Sequence, residues 1–447
     1  YTVGFGLIEV LLHDEKIQDI TINSPMGRNP VFVVHSEFDA CSTNIIPTFR
    51  ESESWASKLR ILSGRPLDEA NPVLDTELIF PHARARIAAI TNPLNPTGIA
   101  FALRRHRDKP WTLALYAQDK KEWHKIKRPG AKYMTPLAAG LLSFLVDGNR
   151  TILVAGTRSS GKTSLLGSLM VELMRKGRII SIEDTLELPS DALRKLGYNI
   201  QQLKVASALT KGTNEVSAEE GIRTTLRMGD SSLIVGEVRS TEATALYEAM
   251  RVGALANLVA GTIHGDSPYG VFDRVVNDLK VPRTSFKATD IIVIAKPVKT
   301  AGGLSREKRV LSITEVRKHW EDDPLRENGF VDLMKYNAKT DRLEPTDELL
   351  SGDSEVIKSI AGTVKEWAGN WEAVWANIKL REQIKKDLIN ESEKNPELLE
   401  AEFTVLANDE FHRVTEQVKE ETGIADPEQI LKEWRKWLQK TVKKYYE

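Results

Sequence analysis

Residues 150–164 read Arg150-Thr-Ile-Leu-Val-Ala-Gly156-Thr157-Arg158-Ser159-Ser160-Gly161-Lys162-Thr163-Ser164. The apolar, β-branched run from Thr151 to Ala155 has the pattern of a buried strand. It breaks into Gly156 through Thr163, a complete G-x-x-x-x-G-K-T match. A helical pattern runs on from Thr163 to Lys176, and Gly177 stops it. Strand, loop and helix in this order are the context that a phosphate-cradling loop requires. The glycines let the backbone curl so that its N–H groups point inward at phosphate oxygens. The start of the helix adds partial positive charge. Lys162 is expected to reach the β- and γ-phosphates of a bound ATP, and the Thr163 hydroxyl to ligate Mg²⁺. Gly156 to Ser164 are therefore the expected nucleotide contacts.

Downstream, residues 150 to about 300 alternate strand and helix patterns, which predicts a largely parallel sheet covered by helices. Further strands are expected at Arg178 to Ile182, Ser232 to Val235, Leu258 to Ile263 and Asp290 to Ala295. The first three lead into Glu183-Asp184, Glu237 and His264. Ligands of open α/β sheets sit at the carboxyl ends of the strands, so these groups are placed to converge beside the loop.

Hydrolysing ATP needs a held phosphate, a metal, an activated water and a cation for the developing charge. Leu233-Ile-Val-Gly-Glu237 is a Walker-B-like strand ending in a carboxylate. Glu237 either holds the Mg²⁺ shell or orients the nucleophile. Glu183 and Asp184 suit a general base beside a metal-associated acid. The metal set is thus Thr163, Asp184 and Glu237. His264 can sense the γ-phosphate through a hydrogen bond. Arg84, Arg86, Arg104 and Arg105 lie far upstream, where a separate domain could close over the nucleotide and couple hydrolysis to motion.

The flanks read differently. Residues 1–110 mix short strands (Ile17 to Ile22, Pro30 to His35, Ala83 to Thr91, Ile99 to Leu103) with a helix from Glu53 to Ser63, an α+β lobe. Residues 111–134 form a mostly polar, lysine-rich link in which Trp111, Tyr116, Trp123 and Tyr133 are the available stacking aromatics. Residues 135–345 carry the loop, with a strand at Arg309 to Val316 and a hairpin around Asn337 to Asp341. Residues 346–447 are helical, charged and read as a domain of their own. Its Trp367, Trp371, Trp375, Trp434 and Trp437 stand at core spacing. The net charge of −1 over 447 residues gives no global pull toward nucleic acid or acidic lipid. Cys41 is the single cysteine, which excludes an intramolecular disulfide and any zinc site of two thiolates. A reducing, cytoplasmic setting is expected. The chain begins on Tyr1, and residues ahead of it are expected.

Four stretches together resemble the type II/type IV secretion ATPases. They are Gly156 to Thr163, Ile182 to Glu187, Leu226 to Arg239 and Gly261 to His264, which match the family's Walker A, Asp box, Walker B and His box. The opening Gly6 to Ile20 and Val31 to His35 look like the archaeal branch, which includes archaellum and pilus motors. The resemblance implies a RecA-like P-loop ATPase domain with a parallel-core sheet, preceded by the α+β lobe and followed by the helical region. It implies a homohexamer, peripheral at the membrane, whose lobes move as ATP turns over. That motion drives protein secretion or filament assembly through a polytopic membrane platform protein. By match, Glu183, Glu237 and His264 are the three box residues. Arg84 and the Arg104/Arg105 pair are lobe arginines facing the γ-phosphate. Pro81-His82-Ala83 lacks the acid and glycine expected there, so Arg84 and Arg86 both stay open. A RecA-like nucleic-acid translocase is the competing reading; a sequence pI near 6.8 and the lack of a basic aromatic groove argue against it, and no nucleic-acid partner is expected.

Overall fold

The computed structural model describes residues 4–446 apart from 37, 82, 108, 119–131, 207–215, 254–256 and 300–305. The chain forms two compact units, one made essentially of residues up to 108 and the other of nearly everything after it. Lys120, Lys121, Trp123, Lys125, Lys127 and Arg128 of the expected link lie outside the described residues. No described helix is long and apolar enough to cross a membrane.

The first unit is a six-stranded antiparallel sheet: β1 (Ile17–Ile22), β2 (Val31–His35), β3 (Asp39–Ser42), β4 (Val73–Phe80), β5 (Ala83–Ile90) and β6 (Ala100–His106), in the order β3-β2-β1-β6-β5-β4. Alternation sets the buried face: in β5, Ala83, Ala85, Ile87 and Ala89 are buried and the residues between them are not. Helix Phe49–Ser63 covers that face with Trp55, Ala56 and Leu59. It begins four residues earlier than the periodicity predicts. The reason is a capping box in which Thr48 accepts from Glu51 N while the Glu51 carboxylate accepts from Thr48 N at 2.8 Å.

The second unit is built on nine strands: β7 (Thr151–Gly156), β8 (Arg178–Glu183), β9 (Asn199–Lys204), β10 (Ser232–Val238), β11 (Val259–His264), β12 (Ile291–Lys299), β13 (Arg306–Val316), β14 (Phe330–Asn337) and β15 (Arg342–Pro345). Their order is β15-β14-β13-β12-β7-β11-β10-β8-β9. The pairs from β12 through β7, β11, β10 and β8 to β9 are parallel, and β13, β14 and β15 extend the sheet antiparallel. β7 lies inside the parallel part, buried at every position. Ile152 and Val154 enter the core on one face, Leu153 and Ala155 the core on the other.

The helical C-terminus shares the first of those cores, so it is not a separate body. Helix Trp371–Glu391 lies on helix Pro136–Asp147 at Gly140, where a Cβ would come within 2.7 Å of Glu382 N and 3.0 Å of Ile378 O. Only glycine permits that approach. Arg381 adds ion pairing to Asp147 at 2.6 Å. Lys385 reaches both oxygens of Glu172 at 2.8 and 2.9 Å, each side chain almost wholly buried. Glu172 caps helix Lys162–Val171, which stops there rather than at Lys176. Trp434 is buried and donates to Ala407 O at 3.0 Å.

The start of the expected link is also structural. Leu113–Tyr116 is a short buried helix; the half-buried Trp111 stacks on Tyr116, which packs at a tilt on the buried Tyr133. These three aromatics are therefore not free platforms for bases.

Candidate functional site

The loop after β7 takes its shape from two left-handed positions, Ser159 at φ 59° and Gly161 at φ 91°. Residues in that conformation turn successive N–H groups to one side, the nest that holds anions. Gly156 is obligatory for a second reason: a Cβ there would overlap the Ala295 carbonyl oxygen of the neighbouring strand. Tyr133, 2% exposed, donates its hydroxyl to Ser160 O at 2.9 Å and so pins the loop from beneath. In the local sequence Tyr133 reads only as an available aromatic, because its place in the wall of the loop is set by residues distant in the chain. Lys162 opens helix Lys162–Val171, is buried, and donates to Thr157 O at 3.0 Å, folding back over the loop. The Ser160 hydroxyl is buried without a hydrogen-bond partner. The Ser160 hydroxyl, Lys162 and the loop N–H groups are donors of the kind that suit a phosphate oxygen.

The carboxylates stand at the ends of β8 and β10, which pair in parallel. Glu183 is 3% exposed. Its Oε2 accepts from Glu187 N and Leu188 N at 2.7 Å each, and its Oε1 from Gln202 Nε2 at 3.0 Å. Burial nevertheless outweighs these donors and pushes its pKa up to about 7. Gly236 makes room for it, since a Cβ there would sit 2.8 Å from Glu183 Cγ. Asp184 accepts from Arg239 Nη1 at 3.1 Å, and the same guanidinium pairs with Glu237. Glu237 Oε1 lies 2.8 Å from His264 Nε2, a close approach that is not an aligned hydrogen bond, so that buried oxygen keeps an open lone pair. Burial raises the Glu237 carboxyl, but Arg239, His264 and Lys162 together hold it below the usual range. Burial, then the Lys162 charge, lowers His264, against the pull of Glu237. A continuous chain Asp184, Arg239, Glu237, His264 results, within reach of the Lys162 charge.

Thr163 donates to Glu187 Oε2 at 3.3 Å. Thr163, Asp184 and Glu237 carry the hard oxygen donors that Mg²⁺ takes, although among the described residues no group of three or more His, Cys, Asp or Glu side chains is gathered for a metal ion. Two further residues escaped sequence reasoning. Glu242, buried, accepts from Ser240 N at 2.9 Å and from Arg239 N, tying down the backbone that aims Arg239. Gln202 comes from β9, a strand the sequence analysis did not predict.

Arg84, Arg104 and Arg105 belong to the first unit. β5 and β6 pair Arg84 with His106, Ala85 with Arg105 and Arg86 with Arg104. The pleat therefore puts Arg84, Arg86, Arg104 and His106 on one face and Arg105 on the other. Arg104 pairs with Asp19 at 2.8 Å and Arg86 with Asp75. Arg105 donates to Leu12 O at 2.8 Å. Burial and the surrounding arginine charges bring His106 down to about 4, so it is neutral near pH 7.

Residues 123–323 match the type II/IV secretion system protein family. An uncharacterized protein of Methanocaldococcus jannaschii is 27% identical over 324 residues, which cover 72% of this chain and 53% of that protein. The chain thus spans about half the length of that relative. The type IV secretion system protein PtlH of Bordetella pertussis is 26% identical over 248 residues, 51% of this chain and 71% of PtlH. Among solved structures, the ATPase DotB of Yersinia pseudotuberculosis aligns with a TM-score of 0.48 at 17% identity, over 81% of this chain and 85% of that one.

Proposed function

We propose, from the match of residues 123–323 to the type II/IV secretion system protein family, that the chain is an ATP-hydrolysing motor of the type II/IV secretion ATPase superfamily. In this reading it works as a homohexamer at the cytoplasmic face of a membrane. It drives protein secretion, or assembly of a pilus or archaellum filament, through a polytopic platform protein. Its ATPase core is RecA-like. The observation that carries the reading is the meeting, at the ends of parallel strands, of the Gly156–Thr163 cradle with Glu183, Glu237 and His264.

Each residue then has a chemical task. The loop amides and Lys162 hold the β- and γ-phosphates. Glu183, with a pKa near the working pH, accepts the proton of the attacking water. Gly236 and Gln202 hold it in register. His264, kept neutral, donates to the terminal phosphate. Mg²⁺, when bound by Thr163, Asp184 and Glu237, supplies charge neutralisation at the phosphates. Arg84, Arg104 and Arg105 are the lobe arginines of this proposal; only one of the Arg104/Arg105 pair can face a given ligand, because adjacent strand residues point apart.

The test is ATP turnover by the purified chain, with native mass determination of its assembly. Mg²⁺-dependent phosphate release that Lys162→Ala abolishes supports the reading. Turnover that survives in Lys162→Ala, or that rises only when DNA is added, refutes it in favour of another site or of a nucleic-acid translocase.

A further inference from the structure

The segment after His264 holds a cation, Arg274, outside the chain of side chains that runs from Asp184 to His264. β11 ends at His264, Ser267 caps helix Pro268–Asp273 through Gly270 N at 3.1 Å, and a π-turn follows over Arg274–Asp278. π-turns insert one extra residue into a helix and re-aim the side chains beside it. Arg274 is the first residue of that turn. Helical side chains lean back toward the helix N-terminus, which here is the end of the strand that carries His264. Among the described residues, no carboxylate, carbonyl or hydroxyl accepts from the Arg274 side chain, and its Nε is buried without a partner. Most of the other cations at this strand edge are engaged. Arg239 has Asp184 and Glu237, Lys296 has Asp266 at 3.4 Å, and Lys162 has Thr157 O.

A buried, unmet guanidinium N–H is costly to leave so, and guanidinium is built for bidentate capture of an oxyanion. The anion available at this edge of the sheet is the one that the Gly156–Thr163 cradle takes. We propose that Arg274 is a nucleotide-contacting residue supplied by the same subunit, binding the terminal phosphate of a nucleoside triphosphate beside His264. This rests on the nucleotide reading of the cradle. Proximity is supported by His264 itself: after burial and Lys162, and against Glu237, the Arg274 charge is among those that lower it. A diphosphate leaves Arg274 with no ligand, so this arginine distinguishes the two nucleotide states within one subunit.

The experiment is equilibrium binding of ATPγS and of ADP, each with Mg²⁺, to the full chain and to Arg274→Ala, Arg274→Lys and Lys162→Ala. Loss of one charge-assisted contact predicts that Arg274→Ala weakens ATPγS by about 10- to 100-fold and leaves ADP within about twofold. Arg274→Lys recovers part of the ATPγS loss, because the charge stays and the fork goes. Retained ADP affinity shows that the variant is folded; if Arg274→Ala does not fold, Arg274→Gln carries the same expectation. Equal effects on both nucleotides, or on neither, overturn the assignment of Arg274 alone, with the cradle still validated by the wild type and by loss of both nucleotides in Lys162→Ala. A wild type that binds neither nucleotide overturns the cradle reading and this assignment together.

Discussion

Glu183→Gln tests the general base by two independent readouts. Burial disfavours the ionised carboxylate, so the folded chain keeps this proton between the unfolded value of 4.5 and about 7 while the unfolded chain releases it. The contribution of this group to stability is therefore greatest below 4.5 and declines as pH rises toward 7. The decline amounts to roughly 3 kcal/mol, an order-of-magnitude figure from the span between the two values. The amide has no such titration and nearly the same shape, and it can still accept from Glu187 N and Leu188 N. Denaturant midpoints measured at about pH 5 and about pH 8 should show the variant gaining on the wild type as pH rises. Turnover should fall by ~10²–10⁴ in the variant, and the wild-type kcat/KM should climb with pH through a midpoint near 7. Parallel pH–stability curves for the two proteins would falsify the burial argument. Wild-type turnover in Glu183→Gln would remove the residue from catalysis.

Glu237→Gln should retain nucleotide binding and lose turnover, seen by comparing fluorescent-nucleotide affinity with phosphate release; undiminished release refutes its role. Lys385→Met leaves Glu172 buried and unpaired, so unfolding free energy should drop by about 3–5 kcal/mol, and Glu172→Met in the same chain should restore most of it. If the single variant is as stable as the wild type by urea titration, the pair does not hold the C-terminal helices to the loop helix. Tyr133→Phe removes one hydrogen bond to Ser160 O, worth about 1 kcal/mol. It should weaken nucleotide binding severalfold, and unchanged affinity would show that the loop keeps its shape unaided.

Much of this molecule is legible in local pattern. β1 lies where the alternation from Ile17 to Ile22 put it, and β7 where the apolar run before Gly156 did. The strand ends that carry Glu183, Glu237 and His264 follow from short apolar runs meeting polar residues. Such signals are written within a dozen residues, because backbone propensity and one-sided burial act over that range. β9 was missed because Asn199 to Lys204 is an edge strand with only Ile200 buried, so it lacks the apolar run of its neighbours. β4, with Leu74 and Leu78 buried two turns of the alternation apart, is weak for the same reason.

Sequence alone located the Gly156–Thr163 loop between its strand and helix, the parallel strands around it and the acids at their ends. The fold in three dimensions decided which groups support them. Tyr133 under Ser160, Gly236 opposite Glu183, Gln202 on Glu183 and Lys385 on Glu172 are all contacts across long stretches of chain or between neighbouring strands. Only tertiary packing, too, buries the Arg274 Nε without a partner. Burial and hydrogen-bond satisfaction depend on what surrounds a group, and no window of sequence contains its surroundings.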